Sequence, residues 1–152
     1  MHKSPTSILK SAAVVLALLA AGPAVAQTKV ATYAAGKPGT DQYEELSFWV
    51  KDGQRGAIYY VRGKERSELP ANYLPRTGMA NGSSFAIRMA DDRLLNIIPS
   101  GNALKVASSA NDAPITFVWK YEGPVNGVGT FCRECAASPK EAMQLLRTYY
   151  LK

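Results

Sequence analysis

Histidine is almost missing from this chain: the one copy, His2, lies at the extreme N-terminus. Nucleophile systems of the Ser-His-Asp or Cys-His kind need an imidazole base. His-ligated zinc and the H-E-x-x-H metalloprotease helix need imidazole ligands. None of these can be built from residues 27–152. Cysteine is nearly as scarce, with only Cys132 and Cys135. Ala136, not His, follows the second, so the c-type haem attachment pattern fails. Two thiols supply half a zinc site. No cofactor is expected. Long apolar runs are lacking too, since a spanning helix needs about 20 such residues and no stretch reaches that, so no stable membrane insertion is expected.

What is present at the N-terminus has the three parts of a secretory leader. His2, Lys3 and Lys10 form a basic start. Ser11 to Ala21 is an uncharged apolar run, broken by Gly22-Pro23. Ala24-Val25-Ala26 supplies the small-residue cleavage pattern. Residues 1–26 therefore read as a signal peptide cut after Ala26, and the alanine-rich run has a bacterial look, which places the remainder in the periplasm or outside the cell. No cysteine lies near the cut, so a lipid-modified N-terminus is not indicated.

Removing 26 of the 152 residues leaves 126, enough for one core and not two. The leader carries two lysines and no acid, so the net charge of +6 falls to +4 over residues 27–152. Nucleic-acid binders cluster their cations in a stripe. Here Lys51, Arg55, Arg62, Lys64 and Arg66 are interleaved with Asp52, Glu65 and Glu68, which reads as a solvated face. No nucleic-acid partner is expected.

Residues 27–40 are small and polar and read as a flexible lead-in to a single domain over 41–152. In Tyr43–Lys51, Leu46, Phe48 and Val50 alternate with Glu45, Ser47 and Trp49, the pattern of a half-buried strand. Asp52-Gly53 opens a turn, Gly56 closes it, and residues 57–62 form the partner strand. Residues 65–83, punctuated by Pro70, Pro75, Gly78 and Asn81-Gly82, read as a loop with at most a short strand. Strands follow over 85–89, 94–98, 103–107 and 115–121, joined by short turns. Such spacing indicates an antiparallel meander, because parallel pairing needs long crossovers. At Ser138-Pro139-Lys140-Glu141 the period changes: a capping serine, proline at the first helical position and a capping-box glutamate precede Ala142, Leu145, Leu146 and Tyr149 at helical spacing. The fold class predicted is α+β: an antiparallel β-meander, as a sheet or small open barrel, with one C-terminal helix over 139–151 packed on it.

Few residues invite chemistry. Cys132-x-x-Cys135 suits an intramolecular disulfide in an oxidising compartment. A redox dithiol would place its first cysteine at a helix N-terminus, in a βαβ setting, and neither context is expected here. The glycine-rich loop 122–129, with Asn126 and Gly127 within it, lacks the Lys-Ser/Thr of a phosphate cradle and reads as a stiff exposed loop of the kind that binds. Trp49 falls on the polar face of its strand. Tyr59 and Tyr60 are neighbours and must point to opposite faces, so one of them reaches solvent or a second layer. Exposed Trp and Tyr are favoured interface anchors. The neighbouring carboxylates Glu44-Glu45 and Asp91-Asp92 do not form an acid–base pair: on a strand they face apart, and in a turn they are solvated.

These observations favour a non-enzymatic exported domain that binds another envelope or secreted protein, as an inhibitor or immunity-type factor. The alternatives are a thiol–disulfide exchange protein using Cys132 and Cys135, and a carrier of a small apolar ligand held among Phe117, Trp119 and Leu145.

Overall fold

The computed structural model describes residues 27–75, 84–108, 111–121 and 134–151. Eight strands follow one another: β1 (Thr28–Ala35), β2 (Glu44–Lys51), β3 (Gln54–Arg62), β4 (Ser67–Leu74), β5 (Phe85–Met89), β6 (Leu94–Ser100), β7 (Ala103–Ala107) and β8 (Ile115–Trp119), and the helix α1 (Pro139–Tyr149) ends the chain. Each strand pairs antiparallel with the next, and β8 returns to β1, so the sheet is a closed barrel rather than the open one expected.

Alternation decides which side chains fill it. Leu46, Phe48 and Val50 of β2 turn inward and are buried, as are Ile58 and Tyr60 of β3, Phe85, Ile87 and Met89 of β5, and Phe117 of β8. Eight strands enclose a space that side chains of this size can fill. The β2–β3 hairpin turns on Asp52 and Gly53, both at positive φ (51° and 72°), the two-residue turn that matches strand twist. Gly56 therefore does not close the turn but lies within β3. There the register shifts opposite Phe48 and Val50. A Cβ on Gly56 would stand 3.1 Å from the Trp49 carbonyl oxygen and 3.2 Å from its Cβ, so the missing side chain lets the bulged strand pass close.

Two expectations need correction. The segment expected as a flexible lead-in carries β1, in which Ala31, Tyr33 and Ala35 join the core. The loop expected over 65–83 begins with the eight-residue strand β4, despite Pro70. The ladder to β5 starts only at Ala71, so on that side Pro70 occupies an edge, where a residue without an N–H is tolerated.

β1 is what closes the barrel. It pairs with β8 through Tyr33↔Trp119 and Ala34↔Val118 alone. The rest of the seam is filled piecewise. Lys120 N–H donates to the Thr32 carbonyl at 2.8 Å, Val30 N–H to the Glu134 carbonyl at 2.7 Å, and Ala136 N–H to the Val30 carbonyl at 2.9 Å. These bonds extend the pairing of β1 along the seam beyond its two residue pairs with β8.

The helix closes one end. Ser138 Oγ accepts from Glu141 N–H at 3.1 Å, the expected cap, while the Glu141 carboxylate reaches back to Ala137 N–H at 2.9 Å, one residue earlier than a standard capping box. Ala142, Met143, Leu145 and Leu146 are buried against the barrel. Tyr150, just past the last turn, inserts its ring edge-on to Phe48 at 5.4 Å and beside Phe85 at 5.6 Å. No helix among the described residues is long and apolar enough to cross a membrane.

Candidate binding site

The barrel presents three places where polar and aromatic groups converge: an outer wall across β2–β4, the end opposite α1, and the surroundings of Glu45.

On the outer wall, Tyr59 pairs with Ser47 of β2 and with Pro70 of β4. Trp49 lies two residues along β2 from Ser47, and so on the same face. Both aromatic side chains are half-buried. Ser47 Oγ lies 3.2 Å from Thr32 Oγ1 of β1, a hydrogen bond that ties this face to the next strand. Behind Trp49, its carbonyl accepts the Tyr150 hydroxyl at 2.6 Å. Alternation puts Trp49 on the polar face and sets Tyr59 and Tyr60 on opposite faces; the structure shows that Tyr59 is the one that shares the outer surface with Trp49.

Tyr60 goes the other way. It is 2% exposed, inside the barrel, and its hydroxyl donates to Glu44 Oε1 at 2.5 Å. Burial, followed by this hydrogen bond, pushes the phenol well above its usual range. At this end the inward positions of β2, β3, β6, β7 and β8 surround a cavity of about 150 Å³, with Glu44, Arg62 and Arg93 among its polar lining and Leu95, Val106, Ile115 and Phe117 among its apolar lining. Arg93 holds its guanidinium 5.8 Å from the Tyr60 ring centroid and donates from Nε to Asp91 Oδ2 at 2.7 Å. That hydrogen bond holds the Asp91 carboxyl below its usual range and raises Arg93 above its own.

Sequence reasoning missed a third cluster. Glu45 faces outward, as alternation requires, yet it is 2% exposed. Its Oε2 accepts from the Tyr43 hydroxyl at 2.5 Å, and Arg66 and Lys120 pair with it at 3.3 and 3.4 Å. The phenol of Tyr43 is raised first by burial and then by that carboxylate, against a smaller opposing effect of Lys120. Glu44 and Glu45 do face apart, and each carboxylate serves a different tyrosine.

Cys135 is 7% exposed and stands opposite Val30 at the barrel seam, between the two backbone hydrogen bonds of Glu134 and Ala136. Two residues, Ala136 and Ala137, separate it from the Ser138 cap. Cys132, Asn126 and Gly127 lie outside the described residues. Phe117 borders the open end, Leu145 a groove beside the β2–β3 turn at the helix end, and Trp119 packs against the core. No group of three or more His, Cys, Asp or Glu among the described residues could hold a metal ion. Compared with protein-family models, with curated proteins and with solved structures, the chain matches none.

Proposed function

We propose that this protein is exported, with residues 1–26 removed, and works without catalysis as a rigid barrel that docks on another envelope or secreted protein. The observation that carries the reading is the outer wall of β2–β4, where Trp49 and Tyr59 share one face and are only half-buried. Large aromatics lose little side-chain entropy on binding and supply much apolar area, which makes them the usual anchors of protein interfaces. The closed strand order supports the same reading, because the wall of β2 and β3, paired on both sides, offers partners side chains rather than strand pairing.

In this reading Cys132 and Cys135 form a disulfide that fixes the segment joining the seam to the helix. The buried position of Cys135, ahead of the helix cap rather than at it, favours a staple over a reactive thiol.

The test compares residues 27–152 with their Trp49→Ala and Tyr59→Ala variants, and with Lys105→Ala on the exposed outer face of β7, for retention of partners from an envelope extract. A specific partner lost with Trp49 or Tyr59 and kept with Lys105 supports the wall. Equal retention by all three variants removes it. A mixed disulfide with a client protein would instead favour thiol exchange.

A further inference from the structure

We infer that Gln27 is a modification site: once the leader is cut after Ala26, the new α-amine closes on the side-chain carboxamide of the same residue, and the mature chain begins with a pyroglutamyl lactam. The inference rests on the proposed removal of residues 1–26 and is independent of the docking wall.

The fold holds one side of Gln27 and leaves the other free. Its carbonyl accepts Asp52 N–H at 3.0 Å. The next residue, Thr28, opens β1 in register with Lys51 of β2. Gln27 itself precedes the strand and is exposed. Its side chain makes no hydrogen bond or ion pair among the described residues. It borders the groove beside α1 together with Lys29 and Glu141, which are paired with each other at 3.5 Å. Ring closure joins the α-nitrogen to Cδ and spares the α-carbonyl. The Asp52 hydrogen bond and the β1 ladder therefore survive it.

The step needs no second reactant. The neutral α-amine attacks Cδ, the N–Cδ bond forms and the Cδ–Nε2 bond breaks. Nε2 leaves as ammonia, taking one proton from the amine, and nothing is oxidised or reduced. An α-amine ionises near about 8, so part of it is neutral at neutral pH. Nucleophile and acyl carbon belong to one residue, which makes the attack intramolecular. The product has lost the terminal positive charge. It also lacks the α-amine that an aminopeptidase grips, and chain ends are where proteolysis concentrates. Loss of Gln27 and Thr28 would remove the acceptor of Asp52 N–H and the first pair of the β1 ladder. β1 is the strand that closes the barrel, so the lactam seals the end at which trimming would begin.

The experiment expresses the full chain with its leader in a bacterial host. Protein recovered from the periplasm or medium is held for several days at neutral pH and growth temperature, then reduced for mass spectrometry. The expected mass is that of residues 27–152 less one ammonia, with the loss placed on residue 27 by fragmentation. Edman degradation should give no sequence from this protein and a readable one from Gln27→Ala, which keeps its amine. Freshly isolated free-glutamine protein and the lactam form should share one urea midpoint, because the bond to Asp52 is kept. Gln27 that persists with a free amine overturns the lactam and leaves the export reading standing. A block that remains in Gln27→Ala, or a lower midpoint for the lactam form, also overturns it. A chain that keeps its leader, or is cut elsewhere, fails the export reading, and the lactam with it.

Discussion

The Tyr150 hydroxyl donates to the backbone carbonyl of Trp49 at 2.6 Å, tying the end of α1 to the strand that carries the outer aromatic wall. The carbonyl of Tyr150 in turn accepts from the Tyr73 hydroxyl at 3.1 Å, and that of Tyr149 from Arg55 at 2.9 Å. Three side-chain bonds therefore anchor a helix end whose own last carbonyls have no partner within the helix. Tyr150 is both the plug of the barrel and the clasp of its lid.

Tyr150 and Tyr33 make opposite predictions for the same substitution. Tyr150→Phe keeps the ring among Phe48 and Phe85 but removes a satisfied hydrogen bond, and should cost about 1–2 kcal/mol of unfolding free energy. Tyr33 is fully buried, and its hydroxyl has no hydrogen-bond partner. Tyr33→Phe removes a donor that was desolvated without return, and should be neutral or stabilising by about 1 kcal/mol. Urea unfolding of the two variants beside the wild type gives both signs. A loss in Tyr33→Phe equal to that in Tyr150→Phe would show that the Tyr33 hydroxyl is satisfied in solution.

The Glu45 cluster should be unequal in its parts. Glu45 is buried, whereas the side chains of Arg66 and Lys120 are 43% and 32% exposed. Removing the carboxylate by Glu45→Ala leaves Tyr43 and both cations without their shared acceptor, and should cost about 3 kcal/mol or more. Arg66→Ala removes a partly solvated partner while Lys120 and Tyr43 still hold the carboxylate, and should cost within about 1 kcal/mol. Equal costs, read from denaturant midpoints, would contradict this division.

Alkali should loosen the barrel before it affects an average domain. Burial is the first cause that raises the phenols of Tyr33, Tyr60 and Tyr150, the last to about 12. In the unfolded chain a tyrosine ionises near 10. Between these values the unfolded state has lost protons that the folded state keeps, so stability falls as pH rises. The contribution of Tyr150 is fully present below about pH 10 and is lost progressively toward about pH 12. Urea midpoints should be level up to about pH 9 and drop above about pH 10. Ionisation of Tyr33, Tyr60 or Tyr150 in the still-folded protein, followed residue by residue by NMR, would contradict the burial of these hydroxyls.

Local signals in the sequence carried β2, β5, β7 and the helix, because in each the period of the apolar residues and the turn or cap chemistry agree. The Asp52-Gly53 turn and the Ser138 cap are legible for the same reason. β1 was hidden because its inward residues alternate as Ala31, Tyr33, Ala35, and alanine carries little strand signal. Pro70 masked β4. Barrel closure rests on the Tyr33↔Trp119 and Ala34↔Val118 pairs, contacts between distant segments that no local pattern announces. The site divides the same way. Alternation sent Tyr59 and Tyr60 to opposite faces without saying which was inside. The cations that pair with Glu45 stand 21 and 75 residues along the chain, and Tyr43 two residues away does not by itself signal that an outward glutamate will be buried.

The turn that leads from β1 to β2 gives the sharpest steric prediction. Gly36 has φ at 78°, and a Cβ there would lie 2.4 Å from the Gln42 carbonyl oxygen and 2.9 Å from its carbonyl carbon. Both are backbone atoms, so no flexible side chain can give way. Gly53 has a similar φ of 72° but open space around it. Gly53→Ala should cost about 1 kcal/mol, the left-handed backbone penalty for an L-residue. Gly36→Ala adds the clash and should cost at least about twice that, because the connection must shift and with it the start of β2 at Glu44. The same shift would move Glu44 away from the Tyr60 hydroxyl at the open end. Gly36→Ala should therefore disturb amide signals around the mouth as well as lower the unfolding midpoint, while Gly53→Ala, at the far end of β2, should lower the midpoint alone. Equal stability losses from the two substitutions would mean that the Gly36 turn yields to the added methyl group, and that the geometry of the mouth does not depend on it.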